Sequence, residues 1–165
     1  MLKVLYICTH NRCRSILSEA ITQHLAGDLI DARSAGSQPV GAVHPLSIYY
    51  LKEKGIKTKH LRSQSWDDFA DFQPDLVITV CDSAAKETCP VWFGDAVQAH
   101  WGLSDPSKLS GTDEAKAQAF RECIANISLR VEKLKNIAAH AKSPAEIRTM
   151  LKDFGAVIKS NSNKS

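Results

Sequence analysis

Two short, uninterrupted apolar runs limit the folds open to this 165-residue chain. The first, Val4-Leu5-Tyr6-Ile7, ends at Cys8; the second, "DLVITV" at 75–80, ends at Cys81. A strand with no polar face has nothing to offer water, so both runs read as strands buried on two sides, at 2–8 and 75–80. After Cys8 comes a loop, "THNRCR", and then Ile16, Leu17, Ala20, Ile21, His24 and Leu25 recur at helical spacing, which predicts a helix over 15–26.

The rest of the chain continues the alternation. "DARSAGSQP", 31–39, reads as a short strand running into a loop. Pro45 opens a second helix through Leu51, with Gly55 as its C-cap. "AVQAHW", 96–101, is a further, weaker strand. Thr112, Asp113 and Glu114 start a long helix whose Ala119, Phe120, Cys123, Ile124, Ile127, Val131, Leu134 and Ala138 form one face. Alternating strands and helices predict an α/β fold: a doubly wound, mainly parallel four-stranded sheet with helices on both faces. Ligands of such sheets sit beyond the C-terminal strand ends, where Cys8 and Cys81 both fall.

Residues 1–140 read as one catalytic domain and 141–165 as an extension. Ser143-Pro144-Ala145-Glu146 has the form of a capping box, and Ile147, Met150, Leu151 and Phe154 follow at helical spacing, so an extra C-terminal helix is expected over 144–154. This stripe is expected to pack on the domain, with a dimer contact as the alternative. The final "KSNSNKS" is too polar to pack and is expected to be disordered.

Charge and cysteine usage narrow the function. A net charge of +3 with scattered basic residues does not point to nucleic acid, but suits a small anion. No apolar run reaches the roughly 18 residues needed to span a membrane, and no signal peptide precedes the first strand, so a cytoplasmic protein without membrane contact is expected. Five cysteines in a reducing compartment are fillers, metal ligands or reactive thiols rather than a disulfide framework. No paired zinc-type spacing occurs, and neither metal nor cofactor is expected in the chemistry.

"CTHNRCRS" has the properties of an anion cradle. Backbone N–H groups of Thr9 to Arg14 would converge on one point, the following helix adds its positive end, and Arg14 offers a planar fork to a tetrahedral oxyanion. His10 and Arg12 raise the local potential. In that field Cys8 is expected to ionise more readily, with Ser15 donating to its sulfur. The oxyanion site is thus expected to comprise Thr9, His10, Asn11, Arg12, Cys13 and Arg14.

"VLYICTHNRCRSILSEA" resembles the phosphate-binding loop of the low-molecular-weight protein tyrosine phosphatase superfamily, with its Cys-x5-Arg-Ser signature. The resemblance extends through "SAGS" at 34–37, "LVITVC" at 76–81 and "HWGLSDP" at 100–106, and covers roughly residues 2–138. It implies a phosphatase I-like fold and one of two activities, phosphotyrosine hydrolysis or arsenate reduction. It also implies that Asp105, before Pro106, is the general acid. Phosphatases of the family carry a tyrosine after this dipeptide; here Ser107 follows, which disfavours an aryl phosphate substrate. In the arsenate reductases of the family a relay of thiols carries two electrons. Cys81 and Cys89 match its later members, although the stretch between them is one residue longer than usual.

The resemblance therefore implies arsenate reduction through Cys8, Cys81 and Cys89, with phosphate or sulfate as competing oxyanions. Thioredoxin, or glutaredoxin with glutathione, would be the electron donor. Eight residues of intact helix hold Cα atoms about 12 Å apart, whereas a disulfide needs roughly 4.4–6.8 Å, so the 81–89 segment must unwind on oxidation. The alternatives are a phosphatase and a non-catalytic oxyanion- or arsenite-binding module. Some family members bind potassium; Asn11, Glu19 and Ser34 match their ligands but Gln64 falls where an aspartate is needed, so the ion is not expected and Asn11 and Ser34 are assigned to loop shape. Cys13 does not discriminate between the branches, and Cys123 is expected in the core. His24, His44, His60 and His140 are expected to be structural or solvated.

Overall fold

The computed structural model describes residues 1–86, 93–153 and 157–158. Ten elements follow in order: β1 (Leu2–Ile7), α1 (Arg14–Ala26), β2 (Ile30–Ala35), α2 (Pro45–Glu53), β3 (Leu76–Thr79), α3 (Asp82–Lys86), β4 (Val97–His100), α4 (Asp113–His140), α5 (Pro144–Asp153) and β5 (Val157–Ile158). Short 3-10 turns at Trp66–Phe69 and Pro106–Lys108, each capped by the side chain of the preceding residue, were not legible in the sequence.

The sheet order is β2-β1-β3-β4-β5. The first four strands are mutually parallel, as an α/β doubly wound fold requires. β1 lies between β2 and β3, which is why Val4, Leu5, Tyr6 and Ile7 run on without a charged residue among them: all four are buried. The chain steps from β1 to β2 in one direction and returns across β1 to β3, so the topological switch point lies between β1 and β3. Ile7 pairs with Thr79 there, which brings the residues after both strands together.

α1 and α4 pack against each other, with Ile16, Leu17, Ile21, Phe120, Ile124 and Ile127 buried between them and the sheet. α2 stops where expected: Gly55 takes φ +74°, and the N–H groups of Gly55 and Ile56 satisfy the carbonyls of Lys52 and Leu51. Cys123 is buried on the apolar face of α4, where burial pushes its thiol up to about 12.

The C-terminal region adds to the sequence reading. The capping box forms as a variant: Ser143 Oγ accepts from Glu146 N at 3.2 Å, but the Glu146 carboxylate reaches back to Lys142 N at 2.7 Å. Ile147 and Leu151 are buried and Met150 packs beside them, against α4 and β4, so the stripe closes on its own domain. Phe154 and the "KSNSNKS" tail lie outside the described residues. The four-stranded sheet acquires a fifth, antiparallel strand: Val157 pairs with His100 and Ile158 with Ala99. Two residues beyond α5 are too short a run to read as a strand, yet β4 would otherwise leave an unpaired edge.

Candidate active site

The loop between β1 and α1 takes its shape from outside itself. The carbonyl of Thr9 accepts from Gln38 N, that of His10 from Val40 N and Ser63 Oγ, and that of Arg12 from His44 N. With three carbonyls tied outward, the N–H groups of these peptides turn inward, and the His10 N–H donates to the Cys8 sulfur. Asn11 makes the turn possible: it takes φ +46°, a region Asn tolerates better than most residues. Its side chain is fully buried, donating to Ser15 Oγ at 2.8 Å and Ser34 Oγ at 3.1 Å while accepting from Gln64 N at 2.8 Å. Gly36 packs under the loop so closely that a Cβ would meet the carbonyl oxygens of Thr9 and Cys8 at 2.5 and 2.6 Å.

A cavity of about 110 Å³ lies over this loop, lined by Cys8, Thr9, His10, Arg12, Cys13 and Arg14, and by Cys81, Ser83, Asp105, Ser107 and Lys108 from two other segments. Arg14, the first residue of α1, donates from Nη1 to the Leu103 carbonyl at 2.9 Å and sets Nη2 3.5 Å from Asp105 Oδ2. Its Nε is buried without a partner among the described residues, a donor held ready for an oxyanion. Asp105 is held from the other side by Ser107, whose N–H and hydroxyl donate to Oδ1 at 2.9 and 2.6 Å. Cys13 precedes α1 without capping it, and burial pushes its thiol up to about 11.

Cys81 stands beside Cys8, as the β1–β3 pairing requires, and the two thiols share a hydrogen bond. The Cys81 sulfur also accepts from Ala84 N at 3.4 Å, and the Thr9 hydroxyl lies 3.8 Å away. Here the expectation for Cys8 is corrected. The hydrogen bond with Cys8 pulls Cys81 down to about 5, with help from the Ala84 and Thr9 N–H groups. Cys8 is pushed up by the same hydrogen bond and by burial, against the opposite pull of Arg14 and the His10 N–H. The cradle does favour a thiolate, but the contact between the two sulfurs shifts that tendency from Cys8 towards Cys81.

The profile of the family described as "Low molecular weight phosphotyrosine protein phosphatase" matches residues 3–145. The chain belongs to that family. Among its relatives, the arsenate reductase of Halalkalibacterium halodurans is 37% identical over 131 residues, covering 79% of this chain and 93% of that protein. Among solved structures, an arsenate reductase in its phosphate-binding state matches with a TM-score of 0.69 at 29% identity, over 82% of this chain and 98% of that one. The thioredoxin-dependent arsenate reductase of Corynebacterium glutamicum matches with a TM-score of 0.65 at 29% identity, over 86% of this chain and 64% of its own. The family profile ends within the first turn of α5, so most of that helix and β5 lie beyond it.

Of the residues expected at this phosphatase-family site, Cys8, Thr9, His10, Arg12, Cys13, Arg14, Cys81 and Asp105 line one cavity. Two do not. The Asn11 side chain is a buried strut, and Ser15 Oγ accepts from Asn11, so both hold the loop from behind. The Thr9 hydroxyl faces Cys81. Cys89 lies outside the described residues. The segment after Cys81 begins as a helix through Lys86.

The contacts of several residues in and around the site were not legible in the sequence. Lys108 and Ser83 complete the rim. Glu19 is buried against Ser34 Oγ at 2.5 Å and Gln23, and burial pushes its carboxyl up to about 7. His100 bridges Thr79 and Asp82. His44 caps α2 by accepting from Leu46 N at 3.1 Å, and His60 bonds Gln23.

Proposed function

We propose that this protein reduces arsenate to arsenite by moving a disulfide along its own thiols, Cys8 to Cys81 to Cys89, without a cofactor. The observation that carries this reading is the second thiol in hydrogen-bond contact with the first at the floor of the anion cavity. A phosphomonoester hydrolase needs one nucleophile, an acid and a cradle; it has no use for a second thiol pulled down to about 5. The arsenate reductase relatives and the absence of an aromatic residue after Asp105-Pro106 support the same reading.

The steps balance as follows. Arsenate enters with its oxygens on the loop N–H groups and the Arg14 guanidinium, and an arsenate oxygen takes the proton of the Cys8 thiol. The Cys8 sulfur bonds to arsenic and one arsenate oxygen, protonated by Asp105, leaves as water. Cys81, as thiolate, attacks the Cys8 sulfur; a sulfur–sulfur bond forms, the electron pair of the sulfur–arsenic bond stays on arsenic, and As(III) leaves as arsenite. The Cys89 thiol attacks Cys81 and frees Cys8 as a thiolate. An external dithiol then supplies two electrons to the Cys81–Cys89 disulfide and restores both thiols. The sequence position of Cys89 alone assigns it this role.

The donor is a thioredoxin-type dithiol, as in the C. glutamicum neighbour; glutaredoxin with glutathione is the alternative. The relay needs a reducing compartment, which supports the cytoplasm, and among the described residues no helix is long and apolar enough to cross a membrane. We assign catalysis to residues 1–140 and support of the β4 edge to 141–165. Arsenate-dependent NADPH oxidation is expected with thioredoxin and thioredoxin reductase, with one arsenite per NADPH. No arsenite with either donor system, alongside hydrolysis of p-nitrophenyl phosphate, would return the chain to the phosphatase reading.

A further inference from the structure

We propose that His100 is a positioning residue that aims Cys81 at Cys8. The inference rests on the relay reading above and adds a residue to it. His100 ends β4, and its imidazole reaches across to the turn that carries Cys81. Nδ1 lies 2.8 Å from Thr79 Oγ1, and Nε2 lies 3.0 Å from Asp82 Oδ1. Thr79 is the last residue of β3 and Asp82 the first of α3. One side chain thus links the side chains on both sides of Cys81, two residues before it and one residue after.

The proton pattern is consistent. With Nε2–H donating to the Asp82 carboxylate, Nδ1 is left to accept the Thr79 hydroxyl proton at 2.8 Å, in preference to the longer contact of that hydroxyl with the Ala99 carbonyl at 3.4 Å. The backbone repeats the link, since Trp101 N donates to the Thr79 carbonyl at 2.8 Å. Asp82 is 84% exposed, so the His100–Asp82 contact adds little to stability. Its consequence is directional. Attack by one sulfur on another needs the incoming sulfur in line with the bond that breaks, here the bond from Cys8 sulfur to arsenic. The chain turns sharply from strand to helix between Thr79 and Asp82, and without the brace the Cys81 side chain samples other directions.

The brace touches neither the cradle nor Cys8, so it acts on one step only: disulfide formation with release of arsenite. Four variants of the full chain separate this from a structural role. Asn at position 100 retains a group near Thr79 but cannot reach Asp82; Gln places an amide N–H where Nε2 was. In a rapid-quench single turnover, His100→Asn is expected to release arsenite about fivefold more slowly, the effect of one net hydrogen bond of about 1 kcal/mol. The KM for arsenate and the kcat for p-nitrophenyl phosphate hydrolysis are expected to stay unchanged. His100→Gln is expected to remain within about twofold of wild type. Asp82→Ala is expected to match His100→Asn, and the double variant to be no slower than either alone, because both remove one contact.

Wild-type arsenite release by His100→Asn overturns the proposal. So does a parallel loss of p-nitrophenyl phosphate hydrolysis, or additive losses in the double variant. A wild-type protein that hydrolyses p-nitrophenyl phosphate but never releases arsenite removes the relay reading itself, and the brace with it.

Discussion

Cys81→Ser is expected to abolish arsenate reduction while leaving slow hydrolysis of p-nitrophenyl phosphate nearly intact. The substituted hydroxyl preserves size and hydrogen bonding but cannot form a disulfide, so the Cys8–arsenate adduct has no route to As(III). Hydrolysis differs because water resolves a phosphocysteine and Cys81 takes no part. A further effect acts in the same direction. The largest influence holding the Cys8 thiol up is its hydrogen bond with Cys81. Without a thiolate neighbour, Cys8 should ionise at lower pH, and hydrolysis should hold its rate or rise. Steady-state assays of both activities on one preparation, with iodoacetamide labelling of Cys8 across pH, make the comparison. Arsenite release at a tenth of the wild-type rate or more would show that Cys81 is not the attacking thiol.

Arg14→Lys should depress both activities together, by a factor on the order of 100, the effect of about 2.7–4 kcal/mol lost from one oxyanion contact. Lysine retains the charge but not the fork. In the structure two parts of that fork are committed, Nη1 to the Leu103 carbonyl and Nη2 toward Asp105, while Nε has no partner among the described residues. One ammonium cannot hold the acid loop and meet an oxyanion at two points. Initial rates with arsenate and with p-nitrophenyl phosphate measure the effect. Near wild-type turnover would remove Arg14 from the site, and a selective loss of one activity would mean that the two substrates do not share the cradle.

The sheet was legible because burial on two faces leaves no alternative reading of Val4–Ile7 and Leu76–Val80. The cradle was legible because a cysteine, an arginine and a helix start must follow one another in sequence to converge in space. What the sequence concealed depends on contacts between distant segments. The outward tethering of the Thr9, His10 and Arg12 carbonyls comes from residues 38–44 and 63. The His100 bridge crosses from β4 to the β3–α3 turn, and no local pattern marks a histidine with two partners of that kind. Where the charge resides was also hidden. The local field around the loop points to Cys8, but Cys81 competes for the same proton with donors from Ala84 and Thr9. β5 escaped notice because two residues carry no periodicity; the open edge of β4 makes it a strand.

The central claim is that the oxidising equivalents leave Cys8 through Cys81 and then Cys89, and Cys89→Ser tests it most directly. The variant retains the first two thiols, so arsenate should release one arsenite per enzyme and then stop. Mass spectrometry of the quenched, alkylated protein should find Cys8 and Cys81 joined, whereas the oxidised wild type should carry Cys81–Cys89 with Cys8 free to alkylate. Repeated turnover of Cys89→Ser with thioredoxin at the wild-type rate, or a Cys8–Cys13 disulfide in place of Cys8–Cys81, would contradict the relay.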